Sequence, residues 1–183
     1  KLVVSGGAPL APHLSEWFHA AGLLVVEGYG LTETSAPATT STPDAYRFGT
    51  VGRAIPDTDV EIASDGEILV RGPGVFTGYY LDEAGTKEAF TDDGFFRTGD
   101  IGELDADGYL RITDRKKNIL ITAGGKNIAP QPLENLLKEH VLLGQAMVVG
   151  DARPYLCALL TLDPEVATDW AAARGLDPSL AAL

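Results

Sequence analysis

Basic residues are scarce in this chain. Its 183 residues carry 14 Lys and Arg against 26 Asp and Glu, a formal charge of −12. So acidic a chain excludes nonspecific nucleic-acid binding, which rests on cations laid against phosphate. Local basic pockets survive, and Arg115, Lys116 and Lys117 form one. Three adjacent cations also suit a solvated turn. Cys157 is the single cysteine. No internal disulfide can form, which fits a reducing cytoplasm. Cys157 lies in the apolar run from Tyr155 to Leu162, so a core position is expected rather than a nucleophile. No apolar run is long enough to span a bilayer, and no signal peptide is present. No basic amphipathic helix offers a membrane-docking face. The chain opens in a strand-like run without a Met and closes in Ser179-Leu180-Ala181-Ala182-Leu183 without a stop signal. Both ends read as cut, and a piece of a longer protein is expected.

What is present describes a folded protein. Hydrophobic content is 45%, and the length suits one ordinary domain or two small ones. Leu2 to Val4 reads as a strand, followed by a Ser5-Gly6-Gly7-Ala8-Pro9 loop. A helix follows, with Leu14, Trp17, Phe18 and Ala21 on one face and Gly22 to end it. Leu23 to Val26 is a second buried strand. Strand, helix, strand is an α/β signature. Residues 34–49, rich in Ser, Thr, Pro and Ala, read as a loop. Two hairpins then follow, each with alternating apolar residues around an Asp-Gly turn, at Asp65-Gly66 and Asp107-Gly108. This middle region is predicted to be a small antiparallel sheet or barrel. Past Lys117 the spacing changes to a strand over 119–122, a Gly124-Gly125 turn and a helix over 130–141. Leu133, Leu136, Leu137 and Val141 are that helix's apolar stripe. Strands over 147–149 and 156–162 and a helix over 166–174 complete a small α+β domain, with the boundary near Lys117.

Three segments carry chemistry. Ser5-Gly6-Gly7-Ala8-Pro9 lets a flat ring lie against backbone where no Cβ intervenes, although two glycines also serve turn geometry alone. In Gly28-Tyr29-Gly30-Leu31-Thr32-Glu33-Thr34 an aromatic flanked by glycines can face a planar base. Thr32 adds a donor for a phosphate oxygen, and Glu33 a hard carboxylate suited to Mg²⁺. The third segment runs from Arg97 to Ile128. Asp100 can accept from two neighbouring ribose hydroxyls, and Arg115 is a rigid fork for phosphate or ribose oxygen. The plainer alternatives are a hairpin cap for Asp100 and a surface ion pair for Arg115.

Taken in order, SGGAPL, GYGLTET, GEILVRGPGVFTGYY, RTGD and DRKKNILITAGGKNIAPQPLE resemble the core motifs of the adenylate-forming superfamily. Its members are acyl-CoA synthetases, luciferases and the adenylation domains of peptide synthetases. The resemblance covers nearly the whole chain, and the wording is most similar to bacterial long-chain fatty-acyl-CoA synthetases. It implies an α/β piece over 1–50 and a β-barrel-like piece over 51–116, together the C-terminal part of a large nucleotide-binding domain. Residues 117–183 would be a small, mobile, truncated C-terminal domain of α+β type. The implied reaction joins a fatty acid to ATP as an acyl-adenylate, then passes the acyl group to coenzyme A. By resemblance, Gly6, Gly7 and Ala8 border the adenine and Tyr29 stacks on it, with Gly30 in the same loop. Thr32 meets the α-phosphate and Glu33 helps hold Mg²⁺. Asp100 binds the ribose hydroxyls, Arg115 contacts ribose or phosphate, and Ile112 packs nearby. Lys117 matches the hinge, and Gly124 and Gly125 the turn over the pantetheine tunnel.

Two departures stand out. The family's Ser/Thr/Gly-rich phosphate loop and its adenylation lysine have no counterpart in these residues, and Lys126 sits on the thioester-side turn instead. Asn118 stands where an acidic residue often follows the hinge lysine. The 183 residues alone are therefore expected to be inactive. Two alternatives stay open: transfer to a carrier protein or amine, and an inert nucleotide-binding module.

Overall fold

The computed structural model describes residues 2–8 and 10–177. Pro9 of the glycine loop and the Ser179–Leu183 end lie outside them. The chain divides into two compact units, Lys1–Lys116 and Lys117–Leu183.

The first unit opens with β1 (Leu2–Gly6), α1 (Pro12–Ala20) and β2 (Leu24–Tyr29). The two strands pair in parallel, with Gly6 opposite Gly28. Proline at the start of α1 supplies a preset φ where its missing N–H costs nothing. The apolar face predicted for α1 is not its buried face: Trp17 is 64% exposed and Leu14 is exposed too. The helix buries Ser15 instead, whose hydroxyl lies 3.5 Å from Glu27 Oε1. Glu27 projects from β2, and only a small polar side chain lets the helix sit over it. Residues 34–49 hold more order than a loop. Thr39–Thr40 form β3, antiparallel to β2, as β-branched residues favour. Arg53–Ala54 form β4 and complete a sheet of order β1-β2-β3-β4. The first sheet therefore extends past the expected limit at residue 50.

The middle region is the antiparallel sheet of the two forms that the alternation allows. β5 (Asp59–Ile62), β6 (Glu67–Arg71), β7 (Phe96–Leu104) and β8 (Leu110–Arg115) pair in that order. Both Asp-Gly turns fall where predicted. Between β6 and β7 lies α2 (Glu83–Ala89), which has no apolar stripe to announce it. Asp82 caps it by accepting from Gly85 N at 2.8 Å. The core joins both sheets: Tyr29 and Ala38 pack with Ile68, Val70 and Leu110, and Val51, Leu104 and Ile112 close around them. Backbone bonds tie the sheets as well, Val51 N to Leu110 O and Leu110 N to Gly52 O, both 2.8 Å.

In the second unit β9 (Leu120–Ile121) and β10 (Asn127–Ile128) form a short hairpin. α3 (Pro130–Lys138) then packs on β11 (Leu143–Val149), which pairs with β12 (Cys157–Leu162). α4 (Pro164–Ala172) follows, capped by Asp163 Oδ1, which accepts from Glu165 N and Val166 N at 3.1 Å. Two expectations fail here. Of the stripe expected over 130–141, Leu133 and Leu136 are exposed on α3 and Val141 lies exposed past its end, and Cys157 is exposed too. A two-stranded sheet with one helix on it leaves its other face open, and every β12 residue is exposed. No helix among the described residues is long and apolar enough to cross a membrane.

Candidate functional site

The parallel pairing of β1 and β2 brings the first two chemical segments side by side. Gly6 and Gly28 are ladder partners, and a methyl at Gly6 would meet Gly28 O at 3.3 Å. Gly7 and Ala8 follow, exposed at the end of β1. Gly30 is glycine because of the chain itself: a Cβ there would sit 2.5 Å from Ala36 O and 2.9 Å from Pro37 Cα. The loop after β2 turns back so tightly that no side chain fits.

Tyr29 ends β2 with its ring in the core, 8% exposed. Its phenol donates to Asp100 Oδ2 at 2.7 Å. Asp100 lies on β7, itself 5% exposed, and is the ladder partner of Arg115 on β8. Arg115 Nε stands 3.2 Å from Asp100 Oδ1. Thus one buried carboxylate holds a phenol on one oxygen and a guanidinium on the other. A carboxylate has roughly four acceptor sites, so each oxygen keeps capacity for one more donor. The Arg115 side chain is 57% exposed, so its terminal nitrogens can meet a ligand. Burial pushes the Tyr29 phenol well above its usual range. A hydrogen bond with Thr98 opposes the shift, and the Asp100 charge adds to it. Tyr29 therefore stays a proton donor to Asp100 at any physiological pH. Ile112 on β8 packs half-buried against the core beneath.

The loop after β2 makes one turn of 3-10 helix over Thr32–Thr34. The Thr34 hydroxyl accepts from Leu31 N at 2.9 Å and donates to Ala36 O at 3.0 Å, which holds the turn. Thr32 is exposed on it. Half-buried Glu33 accepts on Oε1 from the Tyr79 phenol at 3.2 Å, and its carbonyl accepts from Phe76 N at 2.7 Å. Burial raises the Tyr79 phenol, and the Glu33 carboxylate adds to that. Among the described residues no three acidic, His or Cys side chains gather as a metal cage. A lone carboxylate still fits Mg²⁺, which keeps its waters and binds chiefly through substrate phosphates.

In the second unit Lys117 is the first residue, exposed in a 3-10 turn over Lys116–Asn118. Gly124 and Gly125 sit at the exposed tip of the β9–β10 hairpin, closed by Thr122 N to Lys126 O at 3.0 Å. Sequence reasoning missed Tyr79 and the Thr98 hydroxyl. Tyr79 was within a recognised run, GVFTGYY, but nothing local shows that it reaches Glu33 from 46 positions away. Thr98 Oγ1 accepts from Asp100 N at 3.1 Å and so fixes the backbone beside the carboxylate.

Glycine-paired strand ends thus lie close to a buried acid that faces a half-exposed guanidinium, on an α/β scaffold. Two family models match the chain: "AMP-binding enzyme" over residues 1–80 and "AMP-binding enzyme C-terminal domain" over residues 117–177. The chain belongs to the adenylate-forming family of AMP-binding enzymes. It is similar to the long-chain-fatty-acid–CoA ligase FadD15 of Mycobacterium tuberculosis, 52% identical over 93% of this chain and 28% of that protein. Human long-chain-fatty-acid–CoA ligase 6 is 38% identical over 100% of this chain and 28% of its own length. The chain thus spans less than a third of these relatives. Among solved structures, the o-succinylbenzoate CoA synthetase of Bacillus subtilis bound to its acyl-adenylate superposes with a TM-score of 0.81. It is 29% identical, over 95% of this chain and 40% of that one. ATP-bound MatB of Rhodopseudomonas palustris gives 0.78 at 35% identity, over 88% of this chain and 35% of that chain.

Proposed function

We propose that this chain is part of an ATP-dependent, AMP-forming long-chain fatty-acyl-CoA synthetase. Residues 1–116 belong to its large nucleotide-binding domain and 117–183 to its small mobile domain. The observation that carries the proposal is the Tyr29–Asp100–Arg115 cluster beside the Gly6–Gly28 ladder. Its setting in a chain 52% identical to a fatty-acid–CoA ligase adds support.

In the first step the fatty-acid carboxylate attacks the α-phosphorus of ATP and pyrophosphate leaves. In the second the thiol of coenzyme A attacks the acyl carbon and AMP leaves. The residues here act by positioning and charge. Gly6, Gly7 and Ala8 border the adenine, and Tyr29, whose ring lies in the core rather than open for stacking, holds Asp100 in place beside it. The spare acceptor sites of Asp100 take the two ribose hydroxyls, which orients the α-phosphorus toward Thr32. Arg115 holds a ribose or phosphate oxygen with its terminal nitrogens. Glu33, kept in place by Tyr79, is the protein ligand for Mg²⁺, which neutralises phosphate charge when bound. Lys117 is the hinge between the two steps, and Gly124 and Gly125 give the narrow pantetheine arm passage in the second. The acidic charge suits small-molecule substrates over nucleic acid, and the lone thiol suits the cytoplasm, where we place the protein.

Exchange of labelled pyrophosphate into ATP tests this in the full-length protein. Exchange is expected with long-chain fatty acids, and thioester once coenzyme A is added. No exchange at any chain length sinks the proposal. Adenylate without thioester would point instead to a carrier protein or amine as acceptor. The 183 residues alone are expected to give no exchange.

A further inference from the structure

Glu67 opens β6 with 3% exposure, and none of the roles above uses it. A buried carboxylate is costly unless its oxygens are bonded. Here they are well bonded. Oε1 accepts from Gly99 N at 3.1 Å. Oε2 accepts from Lys116 Nζ at 2.9 Å and lies 3.4 Å from Arg97 Nη1. Lys116 Nζ reaches Asp65 Oδ2 as well, at 2.8 Å, and these two carboxylates, Asp65 first, hold the ammonium above its usual range.

The partners matter for where they stand. Gly99 immediately precedes Asp100 on β7. Lys116 immediately follows Arg115 at the end of β8. Asp100 and Arg115 face each other across that ladder. One buried carboxylate thus grips the flank of each member of the pair. The ladders on either side of this pair are irregular. The β6–β7 register shifts between Glu67 and Leu69, and the β7–β8 register shifts between Ile101 and Gly102. Such irregularities re-aim side chains and interrupt the ladder.

We propose that Glu67 is a positioning residue of the nucleotide site, setting the spacing of Asp100 and Arg115 by holding Gly99 and Lys116. The inference rests on the reading that Asp100 and Arg115 bind the nucleotide. It gives the ion cluster around buried Glu67 a task beyond stability: Glu67 touches no substrate, yet sets the distance between two groups that do.

Steady-state kinetics on the full-length protein test it, with long-chain fatty acid, MgATP and coenzyme A. Glu67→Gln keeps an acceptor for Gly99 N and removes the charge that holds Lys116. The KM for ATP is expected to rise about tenfold, the scale of one charge-assisted contact, with the KM for fatty acid unchanged. Lys116→Met changes a half-exposed side chain and predicts the same split. It carries the test if Glu67→Gln does not fold. A lower melting temperature with an unmoved KM for ATP overturns the inference and leaves Glu67 a structural ion pair. An equal rise in both KM values overturns it too. Wild-type protein without fatty-acid-dependent turnover overturns the nucleotide reading and this inference together. An active wild type with unmoved variants overturns the inference alone.

Discussion

Tyr29 and Asp100 are 71 positions apart, and their hydrogen bond is what turns two motifs into one site. The resemblance gave Tyr29 a base to stack on, and the structure adds that its phenol is a buried donor. Tyr29→Phe leaves Asp100 short of that donor in a site almost closed to water. The cost expected is about 1–3 kcal/mol of stability near neutral pH, measured by denaturant unfolding. The pH dependence tests the cause. The folded phenol pKa lies above its unfolded value, so its contribution is full below about pH 10 and is lost as pH rises toward the folded value. Between about pH 10 and the folded value the wild type should lose stability relative to Tyr29→Phe by about 1.4 kcal/mol per pH unit. A gap between the two proteins that stays constant from neutral pH to pH about 11 would show that the phenol bond is not its source.

At the scale of elements, the joint between the two sheets of the first unit decides whether Tyr29 and Asp100 meet. That joint is Gly52 beside Leu110 on one side and Thr40 on the other. A Cβ at Gly52 would lie 1.9 Å from the Thr40 carbonyl carbon, at φ +84°. Gly108 in the β7–β8 turn has a similar φ, +81°, and nothing within 4 Å of its Cβ position. Gly108→Ala should cost about 1 kcal/mol of backbone strain, and Gly52→Ala about 3 kcal/mol or more, because the β3 backbone at Thr40 must move aside. Equal costs in thermal unfolding would mean that φ alone matters and the joint does not. The same contrast explains what the sequence could disclose. Hairpins announced themselves through alternation around Asp-Gly, and α1 and α3 through their apolar spacing. α2 did not, because Glu-Ala-Gly-Thr-Lys-Glu-Ala has no apolar stripe and is held by the Asp82 cap. β3 hid in a Thr-rich stretch because its strand character comes from β2 and β4 on either side. In the site, Asp100, Arg115 and Glu33 were legible as motif letters. Glu67 and Tyr79 stood in the GEILVRGPGVFTGYY run, but their roles were not legible, since these lie in partners brought close only by folding.

Across the whole molecule the two compact units are built to different standards. In the first, Ile68, Val70, Phe95 and Leu110 are fully or almost fully buried, and the aromatic rings at 76, 79, 90 and 96 pack against one another. Among the described residues of the second, the buried apolar side chains are Pro130, Val148, Ala167 and Ala171, two of them no larger than a methyl group. Met147, Leu159 and Leu160 remain exposed there. Burial contributes roughly 25 cal/mol per Å² of apolar surface, so the second unit gains far less from folding. Such a unit opens at lower free energy than its neighbour. Hydrogen exchange on the 183-residue chain should therefore show amides of β11, β12 and α3 exchanging first, and those of β6, β7 and β8 last. In thermal unfolding the second unit should melt at the lower temperature. A single cooperative transition, with equal protection in β7 and β11, would contradict this. It would require the two units to share stability that the burial of each taken separately does not supply.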